Sequence, residues 1–424
     1  MKRLFKRIVI GFMVILLPLL PLAAQSGVGN IKCTLKGEVI DRPQSSQLIL
    51  LKEGEDFRVN GISIPIQDGK FEYVLNCDHE ELYQLVFNDE LARGAWRPIV
   101  FISEQGVVHF TLHPPEQFGM NRVEGGKLNE GHLNFQIEER KMFESFAYTL
   151  NAKIEQLQND NKYFTPEAQS LIEQMRASTD DNERRTLSGQ LQKLRNERLD
   201  ITLAAREVMA SGDSLTLTAF HRRLLYAKEH PDIVGYSILI STFKDIVRNF
   251  KSDILPFIDV YNAIYAPKYP NHPYTTKILD LVTGSSLKAG VPFIDFTAVD
   301  LTGKQVRLSE RIGGKPAVLH LWASWCGPCR KKGRDLIPVY EEFRDKGFVV
   351  IGVAREKTIS TAEAAIELDK YPWENLVELN DVEQIWVKYG LGNAGGDYFL
   401  IDEQGTIVAV EPSVEEIKNF LKTR

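Results

Sequence analysis

Two cysteines separated by two residues are the part of this sequence best suited to chemistry. They lie in the run Trp325, Cys326, Gly327, Pro328 and Cys329. A thiolate attacks disulfides, and a second cysteine one helical turn away can resolve the mixed disulfide by forming an internal one. We therefore predict that Cys326 is the attacking thiol and Cys329 the resolving thiol, and that Trp325, Gly327 and Pro328 support them.

The residues around the two cysteines predict the elements that position them. The apolar run Ala317–Trp322 before them is typical of a buried strand, and Leu336 and Phe343 after them have helical spacing. Cys326 would then lie at the start of a helix, where free N–H groups and the helix dipole favour an anion. We expect Cys326 to be exposed and open to alkylation in the reduced protein, and the second cysteine to be protected. Strand, C-x-x-C and helix in this order are typical of a dithiol redox centre.

A structural zinc site is the alternative for a C-x-x-C pair. Zinc needs four ligands, however, and these usually include a second pair of cysteines. The other two cysteines, Cys33 and Cys77, are single and lie far upstream. We therefore predict neither a metal nor a cofactor.

The sequence from about Gly290 to the C-terminus resembles the thioredoxin-like family of TlpA/ResA type, which are periplasmic thiol–disulfide reductases. The segments that carry the resemblance are Gly290–Phe296 for the first strand of the family, Val299–Lys304 for its hairpin, Trp322–Cys329 for its active site, and Phe399–Asp402 with Gly405 for its late hairpin. The resemblance implies a thioredoxin-like α/β fold, disulfide-bearing client proteins as partners, and a membrane thiol electron donor. The dipeptide Gly327-Pro328 is the one that thioredoxin uses, and it favours a reductant over an oxidant.

Three positions depart from that family. The first is His320, where thioredoxins have a buried Asp and TlpA/ResA-like proteins often an Asn. Two interpretations are open: a hydrogen-bonded histidine of the core, or a proton acceptor for Cys329.

The second departure is a basic run directly after the cysteines. Lys332 and Arg334 stand where the family often has Glu and Pro, and Arg330 and Lys331 precede them. We expect this positive charge to favour the thiolate form of Cys326.

The third departure is the loop that carries a cis-proline in the family, three residues before Phe399. Residues 393–398 fill this loop without a proline. If the loop folds as in the family, Gly396 or Asp397 faces Cys326. A carboxylate there would raise the pKa of the Cys326 thiol, and the change Gly396→Pro should improve client reduction.

The N-terminus has the pattern of a secretory signal peptide over residues 1–24. The pattern consists of the basic residues Lys2, Arg3, Lys6 and Arg7, the apolar run Ile8–Leu22, and the small residues Ala23 and Ala24. We therefore predict secretion to the periplasm. An uncleaved membrane anchor is the less favoured alternative, because the apolar run is short for a membrane span and contains two prolines.

The chain is acidic, with 51 basic and 57 acidic residues and a net charge of −6. Because the net charge is negative, we expect no nucleic acid as partner. The even number of cysteines, four, fits an oxidising compartment.

A chain of 424 residues should contain two or three domains. Residues 28–125 predict a small antiparallel β-sandwich, because apolar and polar residues alternate around 31–39 and 70–77. This stretch resembles the uncharacterised β domain that often precedes thioredoxin-like domains in secreted bacterial proteins. Cys33 and Cys77 fall on the apolar faces of their strands, either as buried free thiols or as a structural disulfide.

Residues 129–281 change to helical spacing and predict an α-helical domain with two long antiparallel helices and a shorter one between them. Residues 287–424 alternate strands and helices, which predicts an α/β sheet covered on both faces. The oligomeric state stays open.

Two rival functions remain. Peroxiredoxins share the thioredoxin fold, but they need Thr or Ser three residues before the reactive cysteine, where Ala323 stands. The other rival is a binding protein whose thioredoxin-like domain is a redox-weak scaffold. Catalysed reduction of insulin separates this rival from the reductase.

Overall fold

The structure is a computed structural model that describes residues 31–247 and 253–423, apart from the side chains of residues 181, 182 and 185. The predicted signal peptide, residues 1–24, and the predicted start of the β domain at residue 28 lie outside the described residues. No helix of the described ranges is both long and apolar enough to cross a membrane.

Residues 31–124 fold into two four-stranded β-sheets. The strands are β1 (Ile31–Val39), β2 (Gln47–Lys52), β3 (Ile62–Pro65), β4 (Lys70–Cys77), β5 (Leu82–Phe87), β6 (Ile99–Ile102), β7 (Gly106–Leu112) and β8 (Arg122–Glu124). The short helices α1 (Phe57–Asn60) and α2 (Asn88–Ala92) follow β2 and β5. One sheet has the order β4-β1-β7-β8 and the other β3-β2-β5-β6. Apolar side chains of both sheets form one core, as in a sandwich.

One strand pair of this sandwich differs from the antiparallel prediction. Strands β1 and β7 run parallel, with Leu35 opposite Val108, whereas the other adjacent strands of the two sheets are antiparallel. Parallel neighbours cannot be joined by a tight hairpin. Here the connection between them contains the whole second sheet and β4.

Cys33 and Cys77 are both free thiols, which corrects the alternative of a disulfide between them. Their strands are neighbours, but the register places Ile31 opposite Cys77 and Leu75 opposite Cys33. Residues offset in this way lie about 7–8 Å apart, beyond the usual Cα separation of a disulfide. Burial raises the pKa of the Cys33 thiol to about 11, so this thiol stays protonated at neutral pH.

The middle of the chain is helical. The helices are α3 (Lys127–Asn159), α4 (Pro166–Ala177), α5 (Asp181–Asn196), α6 (Leu203–Glu229), α7 (Ile233–Asp245), α8 (Leu255–Val260), α9 (Ala266–Lys268) and α10 (Pro273–Ser286), with a π-helical turn, Tyr261–Tyr265, between α8 and α9. Helix α4 begins directly after Thr165, whose side chain accepts a hydrogen bond from the N–H of Ala168.

The long helices α3 and α6 are antiparallel. Glu139 accepts a hydrogen bond from Arg223 near one end of the pair, and Leu150 packs beside Gly212 further along it. The sequence predicted one shorter helix between them, and the structure has two, α4 and α5. Buried leucines and Ala168 hold those two helices together in a small core of their own.

Residues 297–422 form a mixed β-sheet with helices on both faces. The strands are β9 (Thr297–Val299), β10 (Gln305–Arg307), β11 (Ala317–Trp322), β12 (Val349–Glu356), β13 (Glu374–Leu379), β14 (Tyr398–Ile401) and β15 (Ile407–Val410). The helices are α11 (Leu308–Ile312), α12 (Gly327–Phe343), α13 (Ile359–Asp369), α14 (Ile385–Lys388) and α15 (Val414–Lys422). The sheet order is β10-β9-β13-β12-β11-β14-β15, with β11, β12 and β13 parallel. All six residues of the central β11 are buried, as expected of a strand covered on both faces.

Two details of this sheet correct the sequence analysis. Strand β13 was not predicted, because Glu374, Asn375 and Glu378 interrupt its apolar run. The first strand of the family was expected at Gly290–Phe296, but β9 begins only at Thr297.

Candidate active site

Cys326 and Cys329 lie where β11 passes into α12, and they form a disulfide with a Cα–Cα distance of 5.3 Å. Cys326 is the N-cap residue of α12, and its sulfur accepts a hydrogen bond from the N–H of Cys329 at 3.3 Å. This N–H group and the helix dipole would stabilise a thiolate on Cys326 after reduction. Gly327 and Pro328 are the first two residues of the helix and are exposed.

Both sulfur-bearing residues are buried in the disulfide form, and the exposure of Cys326 expected for the reduced protein stays a prediction. Cys326 is 3% exposed and Cys329 is 2% exposed in the disulfide form. A Cβ atom added at Gly327 would meet nothing within 4 Å, whereas one added at Gly395 would lie 3.6 Å from the Cys326 sulfur and 3.7 Å from that of Cys329. The loop that contains Gly395 therefore covers the disulfide.

The same loop donates a hydrogen bond to the disulfide. The N–H of Gly396 lies 3.1 Å from the Cys329 sulfur, and a Cβ atom at Gly396 would come within 1.9 Å of the carbonyl oxygen of Leu321. Proline at this position would lose the donor and collide with β11. The expected benefit of Gly396→Pro is therefore not supported, and Gly395 is the loop residue that packs against both sulfurs.

The Asp397 carboxylate is turned towards a cation. Its Oδ2 lies 2.5 Å from the Nζ of Lys332, and its Oδ1 accepts the N–H of Tyr398. The backbone carbonyl of Asp397 accepts the N–H of Leu321 and so joins the loop to β11. Asp397 thus forms an ion pair beside the site, and the expected unpaired carboxylate opposite Cys326 is not found.

The basic run after Cys329 is also paired with carboxylates. Arg330 and Arg334 both bind Asp369, at 2.6 and 2.8 Å, and Lys331 binds Asp335. Burial raises the pKa of the Asp369 carboxyl, but the hydrogen bonds from the two arginines outweigh burial, so its pKa is lowered. The expected field of unpaired positive charge is therefore largely neutralised. The helix N-terminus is the stronger reason for a thiolate at Cys326.

His320 is fully buried in β11, directly behind the second cysteine. Its Nε2 lies 3.2 Å from the carbonyl oxygen of Cys329, so this nitrogen carries the proton and donates. Burial lowers the pKa of His320 to about 3, although the bond to the Cys329 carbonyl opposes the shift. The rings of Trp322 and Tyr398 pack nearby. This geometry favours the hydrogen-bonded core histidine over the proton acceptor.

Glu356 is a buried carboxyl at the site that the sequence analysis missed. It ends β12, and its Oε1 accepts the N–H of Ser324 at 2.5 Å, two residues before Cys326. Burial raises its pKa. The sequence signal that could have identified Glu356 is its position at the end of an apolar run that forms a strand. The carboxyl ends of parallel strands meet at one edge of the sheet, so side chains at these ends lie close together.

Trp325 packs between residues from two parts of the chain. Its ring lies 5.8 Å from that of Trp386, and the guanidinium carbon of Arg58 lies 3.3 Å from its ring centroid. Arg58 belongs to helix α1 of the sandwich, and no feature of the sequence connects it with the cysteines. The arrangement as a whole can carry out thiol–disulfide exchange, because one sulfur is activated by a helix N-terminus and the other lies within bonding distance.

Comparison with known proteins finds similarity in the C-terminal part of the chain. Residues 289–410 match the model of the AhpC/TSA family. The thiol-disulfide oxidoreductase ResA of Bacillus anthracis is 28% identical over 131 residues, which cover 30% of this chain and 73% of that protein. The ResA of Bacillus subtilis strain 168 is 24% identical over 171 residues, which cover 38% of this chain and 83% of that protein.

Among solved structures, the thioredoxin domain of a thiol-disulfide oxidoreductase from Bacteroides vulgatus is 30% identical, with 32% of this chain and 98% of that chain covered and a TM-score of 0.30. A thiol:disulfide interchange protein from Bacteroides sp. is also 30% identical, with 32% and 90% covered and a TM-score of 0.30. The family model covers residues 289–410, and the relatives and structures named here cover 30–38% of this chain.

Proposed function

We propose, from the premise that the C-terminal region of this chain is a thioredoxin-like domain of the AhpC/TSA family, that the protein reduces disulfides of client proteins. The observation that carries the proposal is the Cys326–Cys329 disulfide at the N-terminus of α12. In the reduced protein one sulfur of this pair would be an activated thiolate, and the other would be placed to resolve its mixed disulfide.

The exchange proceeds in two balanced steps. The Cys326 thiolate attacks one sulfur of the client disulfide, the client S–S bond breaks, and the first client sulfur leaves as a thiolate that takes a proton from water. The Cys329 thiol then loses its proton to solvent and attacks the Cys326 sulfur, which forms the internal disulfide and releases the second client thiolate. The client gains two electrons and the protein loses them.

A dithiol donor must then return two electrons by the reverse exchange. The resemblance to the TlpA/ResA type is our reason to propose a membrane thiol as this donor and the periplasm as the location of this protein. The basic residues and apolar run of the N-terminus support export by a signal peptide. The dipeptide Gly327-Pro328 supports a reduction potential near about −270 mV, as in thioredoxin, and not near the about −120 mV of a strong oxidant.

Catalysed reduction of insulin by the full-length protein tests the proposal. We expect turnover with a dithiol donor, loss of turnover in Cys326→Ser, and accumulation of mixed disulfides with clients when Cys329→Ser is expressed in the native host. Absence of insulin reduction by the wild type would favour a binding protein with a scaffold domain. A potential near about −120 mV would reverse the proposed direction of electron flow.

A further inference from the structure

A residue of the sandwich lies directly on the candidate active site. The guanidinium of Arg58 stacks on the ring of Trp325, the residue immediately before Cys326, at 3.3 Å. Its Nη2 also donates to the backbone carbonyl of Asn393 at 2.8 Å. One side chain therefore contacts both polypeptide segments that border the disulfide.

Asp56 holds the Arg58 guanidinium in this position. The Nε and Nη2 of Arg58 donate to the two carboxylate oxygens of Asp56, at 2.8 and 2.6 Å. The Asp56 side chain is 1% exposed, and its Oδ2 also lies 3.7 Å from the Nη1 of Arg355 in the thioredoxin-like domain. A forked guanidinium on a buried carboxylate has a fixed orientation, so Arg58 is a preorganised contact.

Asn393 ties the covering loop to the sandwich through its side chain as well. Its Oδ1 accepts a hydrogen bond from Arg355 at 3.0 Å. Its Nδ2 donates to the carbonyl oxygens of Gly54 and Glu55, both at 3.3 Å. Two residues further on, Gly395 packs against both sulfurs. The position of the loop over the disulfide thus depends on the sandwich.

We propose that Arg58 is a positioning residue of the redox centre, which holds Trp325 and the loop at Asn393 closed over Cys326 and must release them before a client disulfide can reach the sulfur. This inference rests on the proposed function. It explains why Cys326 is only 3% exposed although it begins a helix. A cavity of about 560 Å³, lined in part by Phe57, Trp96 and Ala394, lies next to these contacts and leaves room for an arriving polypeptide segment.

The expected effect of Arg58 is on access to the sulfur. Asp56 neutralises the positive charge of Arg58 at hydrogen-bond distance, so the pair has little net field at Cys326. Removal of the side chain should therefore increase the rate at which the thiolate reacts, and it should leave the pH midpoint of that reaction where it is.

The test measures alkylation of Cys326 by iodoacetamide across pH in the reduced full-length protein, for the wild type and for Arg58→Ala. We expect the pH-independent rate constant to rise at least about tenfold in the variant, which corresponds to about 1.4 kcal/mol. We expect the pH midpoint to be unchanged. A rate equal to or below that of the wild type would overturn the inference, and a shifted midpoint would instead assign Arg58 a role in thiolate charge.

Two further variants sharpen the test. Arg93→Ala removes an exposed arginine of the same domain that binds Asp89, and it should react at the wild-type rate. Arg58→Lys keeps the charge but loses the fork and the planar stack, so it should be faster than the wild type and slower than Arg58→Ala. If Arg58→Ala does not fold, the alkylation rate of Cys326 in Arg58→Lys becomes the test. A wild-type rate in that variant would reject the inference.

The experiment also separates this inference from the proposed function. Accelerated alkylation without any insulin reduction would support the closure by Arg58 and reject the reductase. Insulin reduction together with unchanged alkylation in Arg58→Ala would support the reductase and reject the closure.

Discussion

The Nε2 of His320 lies 3.2 Å from the backbone carbonyl oxygen of Cys329, so a buried imidazole is bonded to the peptide that carries the second sulfur. The carbonyl can only accept, which requires the proton on Nε2 and leaves Nδ1 without one. Among the described residues, Nδ1 has no hydrogen-bond partner. His320 therefore supports the site as a neutral donor.

We predict that His320 stays neutral far into the acidic range. Burial lowers its pKa to about 3, so its ring resonances should keep their positions between about pH 7.5 and about pH 4.5 in an NMR titration, with the signal assigned by its loss in His320→Gln. A midpoint near the ordinary histidine pKa of about 6.5 would contradict the burial argument. The free energy of unfolding should therefore depend on pH. Below about pH 6.5 the histidine of the unfolded chain binds a proton that the folded chain does not bind, so stability is lost as pH falls from there towards 3.

We predict opposite shifts from the two partners of the Lys332–Asp397 ion pair. Asp397→Asn leaves the Lys332 ammonium unpaired beside the site and should lower the pH midpoint of Cys326 alkylation, and Lys332→Met should raise it. Each shift should be roughly half a pH unit or less, because the Lys332 side chain is partly exposed to solvent. The double variant is the control and should return close to the wild type. Shifts of the same sign would show that the pair does not act on the sulfur through charge.

We predict contrasting effects of alanine at two adjacent glycines. In Gly396→Ala the new methyl group would collide with the Leu321 carbonyl at 1.9 Å, so the loop must move and thermal stability should fall, by about 1–3 kcal/mol for overpacking of this kind. In Gly395→Ala the methyl group makes ordinary contacts with both sulfurs, so the fold should persist while insulin reduction slows. Thermal denaturation and the insulin assay distinguish the two. Equal stability of the variants would mean that the loop is not held against β11 as described.

We predict that Glu378→Gln stabilises the protein at alkaline pH. Burial raises the pKa of Glu378 to about 8, against the lowering effect of the hydrogen bond from the N–H of Ile385. The folded chain thus holds a proton that the unfolded chain releases above about pH 4.3, and the associated stability is lost as pH rises to 8. The amide cannot ionise, so the gain in melting temperature over the wild type should be larger at about pH 9 than at about pH 6. Glu374→Gln, at the exposed start of the same strand, is the matched control and should show no such increase with pH.

Sequence reasoning located the cysteine pair because the signals for it are local. The apolar run before Cys326 and the helical spacing after Cys329 predict their elements within a few residues. The partners of the basic run could not be found in this way. Asp369 and Asp397 are close in space to Arg330 and Lys332, but they are distant in sequence and depend on how α13 and the covering loop fold back.

Dependence on residues that are distant in sequence also explains why strand β13 and the contact of Arg58 with Trp325 were not predicted. Strand β13 has polar residues at both faces, and its buried Glu378 accepts a hydrogen bond from the N–H of Ile385 at the start of a helix. Arg58 resembles any surface arginine in its own sequence context. Only the packing of two domains shows that it belongs to the site of Cys326.

The contact between Arg58 and Asn393 joins positions that are 335 residues apart in the chain. During synthesis the N-terminal domain emerges first, and domains generally fold as units. The candidate site is therefore assembled from an early part and a late part of the polypeptide, and its contacts with Arg58 form only after the last domain has docked onto the first. A fragment that begins at residue 287 contains both cysteines and the whole sheet around them, but it lacks the sandwich and the contacts that the sandwich makes beside the cysteines. Thiol reactivity measured on such a fragment will describe an intermediate of assembly rather than the finished protein.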